Sequence, residues 1–239
     1  MVSTDHLDVG HITHRNEEST LMTPAEPART ALLDAAERLF AVSGIAQVSD
    51  RKVAEAAGNS NHSAVRYYFG GREGLLRALI VRHASALEEP RRALFDRSDS
   101  VLGDVRSLVV PTMEALAALP QPTWRARFLA QALHDPATRA VMIETAEATP
   151  TATLVLRSLA CRLQHLEPGV VTARAGLITR IVATAAAEVE TRAERDGTDP
   201  RWPSVGDFLC DAIAGMLVAP ITRATGENPS AAGAGRAGR

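Results

Sequence analysis

Five side chains lie close together in the chain and are equipped to read a nucleic acid: Asn61, His62, Ser63, Arg66 and Tyr67. An asparagine amide pairs in bidentate fashion with adenine, and a guanidinium reaches guanine or a phosphate. A tyrosine hydroxyl bonds a phosphate, or its ring lies on a thymine methyl. Ser49, Lys52 and the backbone amide of Arg72 are candidate phosphate clamps, and Tyr68 is grouped with the same face. For any one of them taken alone, a solvated surface side chain is an equally good reading.

Such residues act together only on a rigid surface, and the flanking sequence describes one. Val48 to Leu76 reads as two short helices, a tight turn and the start of a third helix. Ser49 is an N-cap and Asp50 follows where the helix dipole favours an acid. Val53, Ala54 and Ala57 form a narrow apolar stripe whose small residues allow close approach of a second helix. Gly58 suits the left-handed conformation that ends a helix. Asn59, Ser60 and Asn61 are turn formers. The second helix is expected from about Asn61 or Ser63 to Phe69, anchored by Ala64, Val65 and either Tyr68 or Phe69. Gly70 and Gly71 end it. Arg72 opens a helix with Leu75, Leu76, Leu79 and Ile80 inward. This is the pattern of a DNA-reading helix-turn-helix; the competing reading is a helical hairpin that only packs.

The run resembles the DNA-binding domain of the TetR family of transcriptional regulators. The resemblance is carried by TALLDAAERLFAVSG, Val53 to Gly58, Ser63-Ala64-Val65, Tyr67-Tyr68-Phe69 and Gly71-Arg72-Glu73-Gly74-Leu75-Leu76, and it spans about Ala28 to Ile80. The interval from Gly58 to Phe69 is one residue longer than the commonest family pattern. The resemblance implies an all-α fold: an N-terminal three-helix DNA-binding domain, then a helical ligand-binding and dimerisation domain. It implies a homodimeric, cytoplasmic repressor of a palindromic operator in double-stranded DNA. An unidentified small-molecule inducer releases it by moving the fourth helix. Neither cofactor nor metal is expected.

Composition agrees with a globular chain. At 239 residues and 46% hydrophobic there is enough apolar material for a core, and net charge is −2. The stretch from Pro27 to His83 nevertheless carries eight basic against five acidic residues, a local excess suited to phosphates. Cys161 and Cys210 read as buried small hydrophobes in a reducing compartment. The first residues do not form a signal peptide. No apolar run reaches the ~20 residues of a membrane span, so no membrane partner is expected. Residues 1–23 and 222–239 read as disordered tails, with 24–71 as the DNA-binding domain and 72–221 as the regulatory one. Met22 is an alternative start. His6, His11 and His14 lack the scaffold of a metal site.

Beyond the reading unit the periodicity predicts helices from Arg72 towards Asp96, Leu102 to Leu119, Pro122 to His134, Pro136 to Gln164 with a disturbance at Pro150, Pro168 to before Gly197, and Pro203 to Val218. The last two carry apolar faces, Ile178, Ile181, Val182, Ala185 and Val189 on one and Phe208, Leu209, Ile213, Met216 and Leu217 on the other. Two such helices from each subunit make a four-helix seam. Met113, Leu116, Trp124, Phe128, Gln131, His134 and Met142 mix apolar wall with a few polar groups, as a ligand pocket does. The plainer readings are burial within one subunit and core packing. Without a phosphate loop, metal motif or nucleophile elbow, an enzyme is the weakest alternative. A DNA-binding regulator answering to a protein partner or to cysteine oxidation is the nearer one.

Overall fold

A computed structural model describes residues 25–145 and 149–221. Among these residues ten α-helices follow one another: α1 (Ala25–Ser43), α2 (Asp50–Ala56), α3 (Ala64–Phe69), α4 (Arg72–Phe95), α5 (Val101–Ala117), α6 (Arg125–His134), α7 (Pro136–Glu144), α8 (Pro150–Arg162), α9 (Pro168–Asp196) and α10 (Trp202–Val218). A 3₁₀ turn, Ile45–Gln47, sits between α1 and α2. Among the described residues there is no strand. The segment expected as one helix to Gln164 is two, because Pro150 has no amide to continue the first and begins α8 instead. Pro90 and Pro111, by contrast, lie inside α4 and α5. The expected tails and the three N-terminal histidines fall outside the described residues.

Apolar side chains collect into two cores. The first joins Leu32 and Phe40 of α1, Val53 of α2, Val65 of α3 and Leu75 and Leu79 of α4, and it takes in Phe128 and Ala132 of α6. Phe128 stacks on Phe40 with ring centroids 6.1 Å apart. The reading domain's core therefore extends past residue 71 and borrows a wall from α6. The second core gathers Val105, Met113, Leu159, Trp202 and Ile213 from α5, α8 and α10, with Ile178 and Ala186 of α9.

Where α1, α4 and α6 meet, a small charged cluster is buried. Glu37 of α1 accepts from Arg82 Nη2 of α4 at 2.7 Å; His83 Nε2 of α4 lies 2.7 Å from the same carboxylate without hydrogen-bond geometry, and Arg125 Nε of α6 lies 3.9 Å away. Arg82 also bonds Asp34 at 2.7 Å, and the Phe128 ring faces the imidazole at 6.0 Å. Burial alone would raise the Glu37 carboxyl. The His83 contact and the charges of Arg82 and Arg125 outweigh it and hold the group below its ordinary value. For His83 burial dominates, and with Arg125 and Arg82 it overcomes Glu37, so the imidazole sits below its usual value. A histidine harder to protonate when folded leaves the unfolded state with more bound protons, so stability falls as pH drops below about 6.5. Glu37 adds a further loss only under more acid conditions, as its carboxylate is protonated. Urea unfolding from pH 7.5 to pH 5 is expected to show that decline, and His83→Gln to flatten it. An equal slope in the variant would place the decline elsewhere.

Candidate nucleic-acid interface

The reading segment is punctuated as its residue types require. The Ser49 hydroxyl accepts from the Lys52 amide at 3.2 Å and caps α2. Gly58 closes α2 at φ +69°, a left-handed value at which an L side chain is strained. The turn is then built by two asparagines: the Asn61 amide donates to Asn59 Oδ1, and the Ser63 amide to Asn61 Oδ1, both at 2.9 Å. These bonds hold Asn61, His62 and Ser63 in the turn, so α3 begins only at Ala64, later than expected. The longer interval after Gly58 is absorbed there. Ala64 and Val65 are wholly buried and pin α3 to the core.

What faces outward is a compact polar surface. Asn61, His62, Ser63 and Arg66 are exposed, and Tyr67 is 77% exposed with its ring edge-on to Tyr68 at 4.9 Å. Asn61 keeps its NH₂ and a second oxygen lone pair available. His62 Nδ1 stands 3.8 Å from Glu55. Ser63 makes no capping bond. Lys52 is exposed on α2, as is Arg51, which the residue pattern had not singled out and which donates to Glu55 at 2.8 Å. Its adjacency to Lys52 was the available signal.

One assignment changes, and another is confined to the backbone. Tyr68 is half-buried and packs against the first core, so it is mainly an anchor. The Arg72 guanidinium turns inward: it donates to the carbonyls of Val48, at 2.7 Å, and Ile45, pairs with Asp50 at 3.3 Å and lies over the Phe40 ring at 4.9 Å. It staples the loop before α2 to the start of α4 and is unavailable to a phosphate. Only its backbone amide, at the head of the 24-residue α4, faces the role expected of it.

The expected pocket residues are divided between the two cores and the surface. Met113 and Leu116 fill the second core, whereas Phe128 fills the first, with Trp124 and Met142 packed beside it. Gln131 and His134 are exposed. None of the seven lines either of two clefts that do exist. One, of about 500 Å³, lies between α9 and the start of α10, beside Val189, Arg192, Arg201 and Phe208. The other, of about 460 Å³, lies where the 3₁₀ turn and α4 meet α7, beside Ile45, Arg72, Leu76, Val141 and Glu144.

The expected seam divides as well. Ile178, Leu209, Ile213 and Leu217 are buried inside the subunit and cannot face a partner. Ile181, Val182, Ala185, Val189 and Met216 are half-buried, while Phe208, Leu177 and Val218 are 71%, 41% and 50% exposed. Helix α9 is also, by length and composition alone, apolar enough to cross a bilayer: an 18-residue window has mean hydropathy 1.4, with 11% of it buried. Cys161 is exposed, contrary to expectation, and Cys210 is buried. Burial pushes the Cys210 thiol up to about 11, which keeps it protonated and unreactive at neutral pH.

Among the described residues, whose secondary structure is helical throughout, an exposed and capped helix-turn-helix at one end and a separate helical core at the other give the architecture of a DNA-binding domain joined to a second helical unit. Residues 32–79 match the family described as bacterial regulatory proteins, tetR family. That match covers the helix-turn-helix and the helices that frame it, so this part of the chain carries the family's DNA-binding domain. No curated protein matches the chain. Among solved structures it resembles a TetR family transcription regulator from Marinobacter aquaeolei VT8, with 17% identity and TM-score 0.55 over 78% of this chain and 95% of that one. It likewise resembles the fatty acid degradation regulator FadR from Bacillus halodurans (18%, 0.53, 79% and 95%) and AmtR from Mycobacterium smegmatis (20%, 0.51, 82% and 88%). At these identities the likeness speaks to the fold.

Proposed function

We propose that this regulator is a homodimeric, cytoplasmic repressor that reads a palindromic operator through Asn61, His62, Ser63, Arg66 and Tyr67 and is released by a small molecule. The observation that carries the reading is the Tyr67 side chain, a large ring left 77% exposed on a helix whose other face is wholly buried. A soluble domain gains nothing from exposing such a ring beside an arginine, whereas a groove of DNA uses both. Lys52 serves as a phosphate contact.

The second copy is supported by α9, an apolar helix that its own subunit covers poorly. Apolar surface of that extent calls for a cover, and the half-buried Ile181, Val182, Ala185 and Val189 with the exposed Phe208 supply a narrower seam than the periodicity suggested. With two copies, paired reading heads meet successive major grooves about 34–36 Å apart. Repression and response to a ligand are typical of the family. The packed interior around Met113 and Leu116 favours, as a second reading, a regulator that answers to a protein partner.

Selection from random duplex DNA with the purified chain tests the reading directly. Enrichment of a palindrome with half-sites about one helical turn apart is the expected result. No enrichment at low salt from a folded protein would remove the helix-turn-helix from the function. Lys52→Ala is expected to weaken binding to every sequence alike and to reduce the salt slope by about 1. A changed base preference in that variant would move Lys52 from the backbone to the base edges.

A further inference from the structure

Two opposite charges lie covered near one another on α4 and do not meet. Arg91 is only 8% exposed. Its Nε is sealed from solvent without a hydrogen-bond partner, and among the described residues its guanidinium enters no ion pair. Glu88, three residues earlier on the same side of the helix, is half-buried. Its Oε1 accepts from the Thr151 amide, at 2.9 Å, and from the Thr151 hydroxyl, which ties the second half of α4 to the first turn of α8. Its Oε2 is sealed from solvent as well and accepts from nothing. Burial holds the Arg91 guanidinium below its ordinary value, and the charge of Glu88 works against that.

Two buried acids elsewhere show the usual solution. Asp104, fully buried, is met by Arg162 at 2.9 Å and by the Ser98 hydroxyl at 2.6 Å. Glu190 of α9, only 2% exposed, accepts from the amides of Ala126 and Arg127 and from Arg127 Nε. A covered donor or acceptor left without such a partner costs free energy, and a covered charge costs more. One water can span Glu88 Oε2 and Arg91 Nε, yet it leaves most of the five guanidinium donors unmet.

The two vacancies are complementary to a zwitterion. A simple anion would satisfy Arg91 and face the charge of Glu88; a simple cation would do the reverse. An α-amino acid offers one group to each and brings no net charge into a covered site. One turn further along each helix stand Phe95 and Val155, both at the second core, which suits a small apolar side chain. The part of Arg91 that still reaches solvent gives such a ligand an approach.

We propose that Arg91 and Glu88 form a binding site for a small α-amino acid beside the first turn of α8, the carboxylate on the Arg91 guanidinium and the ammonium on Glu88 Oε2. The site uses none of the seven residues expected of a pocket and lines neither of the two clefts. That such a ligand is the releasing molecule rests on the reading of this chain as an inducible repressor. The site itself does not.

The test begins with the full chain and no DNA. L-Alanine, propionate and ethylamine are alike in size, and the last two lack the amine and the carboxylate respectively. Isothermal titration at constant ionic strength is expected to show saturable binding of L-alanine and weaker binding of the other two. Arg91→Met is expected to weaken L-alanine binding by about 10- to 150-fold. Glu88→Gln keeps an oxygen for Thr151 and removes the charge, so it is expected to lose the preference for L-alanine over propionate. That reversal decides the matter if Arg91→Met fails to fold. Binding of no probe, equal binding of all three, or unchanged binding in the folded variants would overturn the site and leave water as the partner of both groups. With the selected operator, saturating L-alanine is expected to lower the affinity of the parent and leave Arg91→Met unmoved. Binding without that loss would deny the site a part in release. A parent chain that selects no operator would sink the repressor reading, and the titration would still decide the site.

Discussion

Replacing Tyr67 with alanine is expected to cost about 1–3 kcal/mol of operator binding, about 5- to 150-fold in Kd, with no change in urea stability. The side chain is 77% exposed and touches little of its own chain beyond the edge of Tyr68, so its removal opens no cavity. The neighbouring Tyr68→Ala should behave in the opposite way. That ring packs against the first core, and its loss should lower stability first and binding only as a result. The pair makes the assignment sharp, because two adjacent residues of one type are given different roles. Measuring both variants by fluorescence anisotropy on the selected operator and by urea unfolding settles it. Wild-type affinity in Tyr67→Ala would remove this ring from the interface.

Gly74→Ala is expected to be the most damaging single methyl in the chain. An added Cβ would lie 1.8 Å from the Phe69 carbonyl oxygen and 2.9 Å from its carbonyl carbon. Both are backbone atoms at the end of α3, so no side-chain rotation relieves the overlap, and α3 must move away from α4. Overpacking of this kind costs about 1–3 kcal/mol and occasionally more, and the upper end applies where backbone meets backbone. Operator binding should fall with it, because α3 is displaced although every reading side chain remains. Gly176→Ala in α9 is the control: a Cβ there meets nothing within 4 Å, and replacing a helical glycine with alanine should stabilise by about 0.5–1 kcal/mol. If Gly74→Ala unfolds at the parent's urea concentration and binds normally, the close approach of α3 to α4 is wrong.

Much of the reading domain was legible in the residues because its devices are local. Ser49 caps α2 three residues ahead, Gly58 and Gly70 close helices at positive φ, and Pro168 opens one. Each depends on backbone atoms within four residues of itself, so residue type and spacing suffice. The apolar stripes of α1 and α4 were legible for the same reason: a period of 3.6 declares which face is inward.

Periodicity does not say which inward place a face will occupy, and there the tertiary structure decided. Phe128 and Met113 read alike along the chain, yet one stacks on Phe40 and the other lies under α10, in separate cores. Ile178 and Leu177 are neighbours on an apolar helix, but only the first is covered by its own subunit. Arg72 carries the same charge as any phosphate clamp, and three groups at residues 45, 48 and 50 draw it inward. Glu37 and Glu190 gave no signal at all, since an acid on a helix is ordinarily solvated. Their partners stand far along the chain, at 82, 83 and 125 and at 123 to 127. Local chemistry is written in short spacings; the desolvation that makes a buried charge matter exists only once distant helices have closed over it.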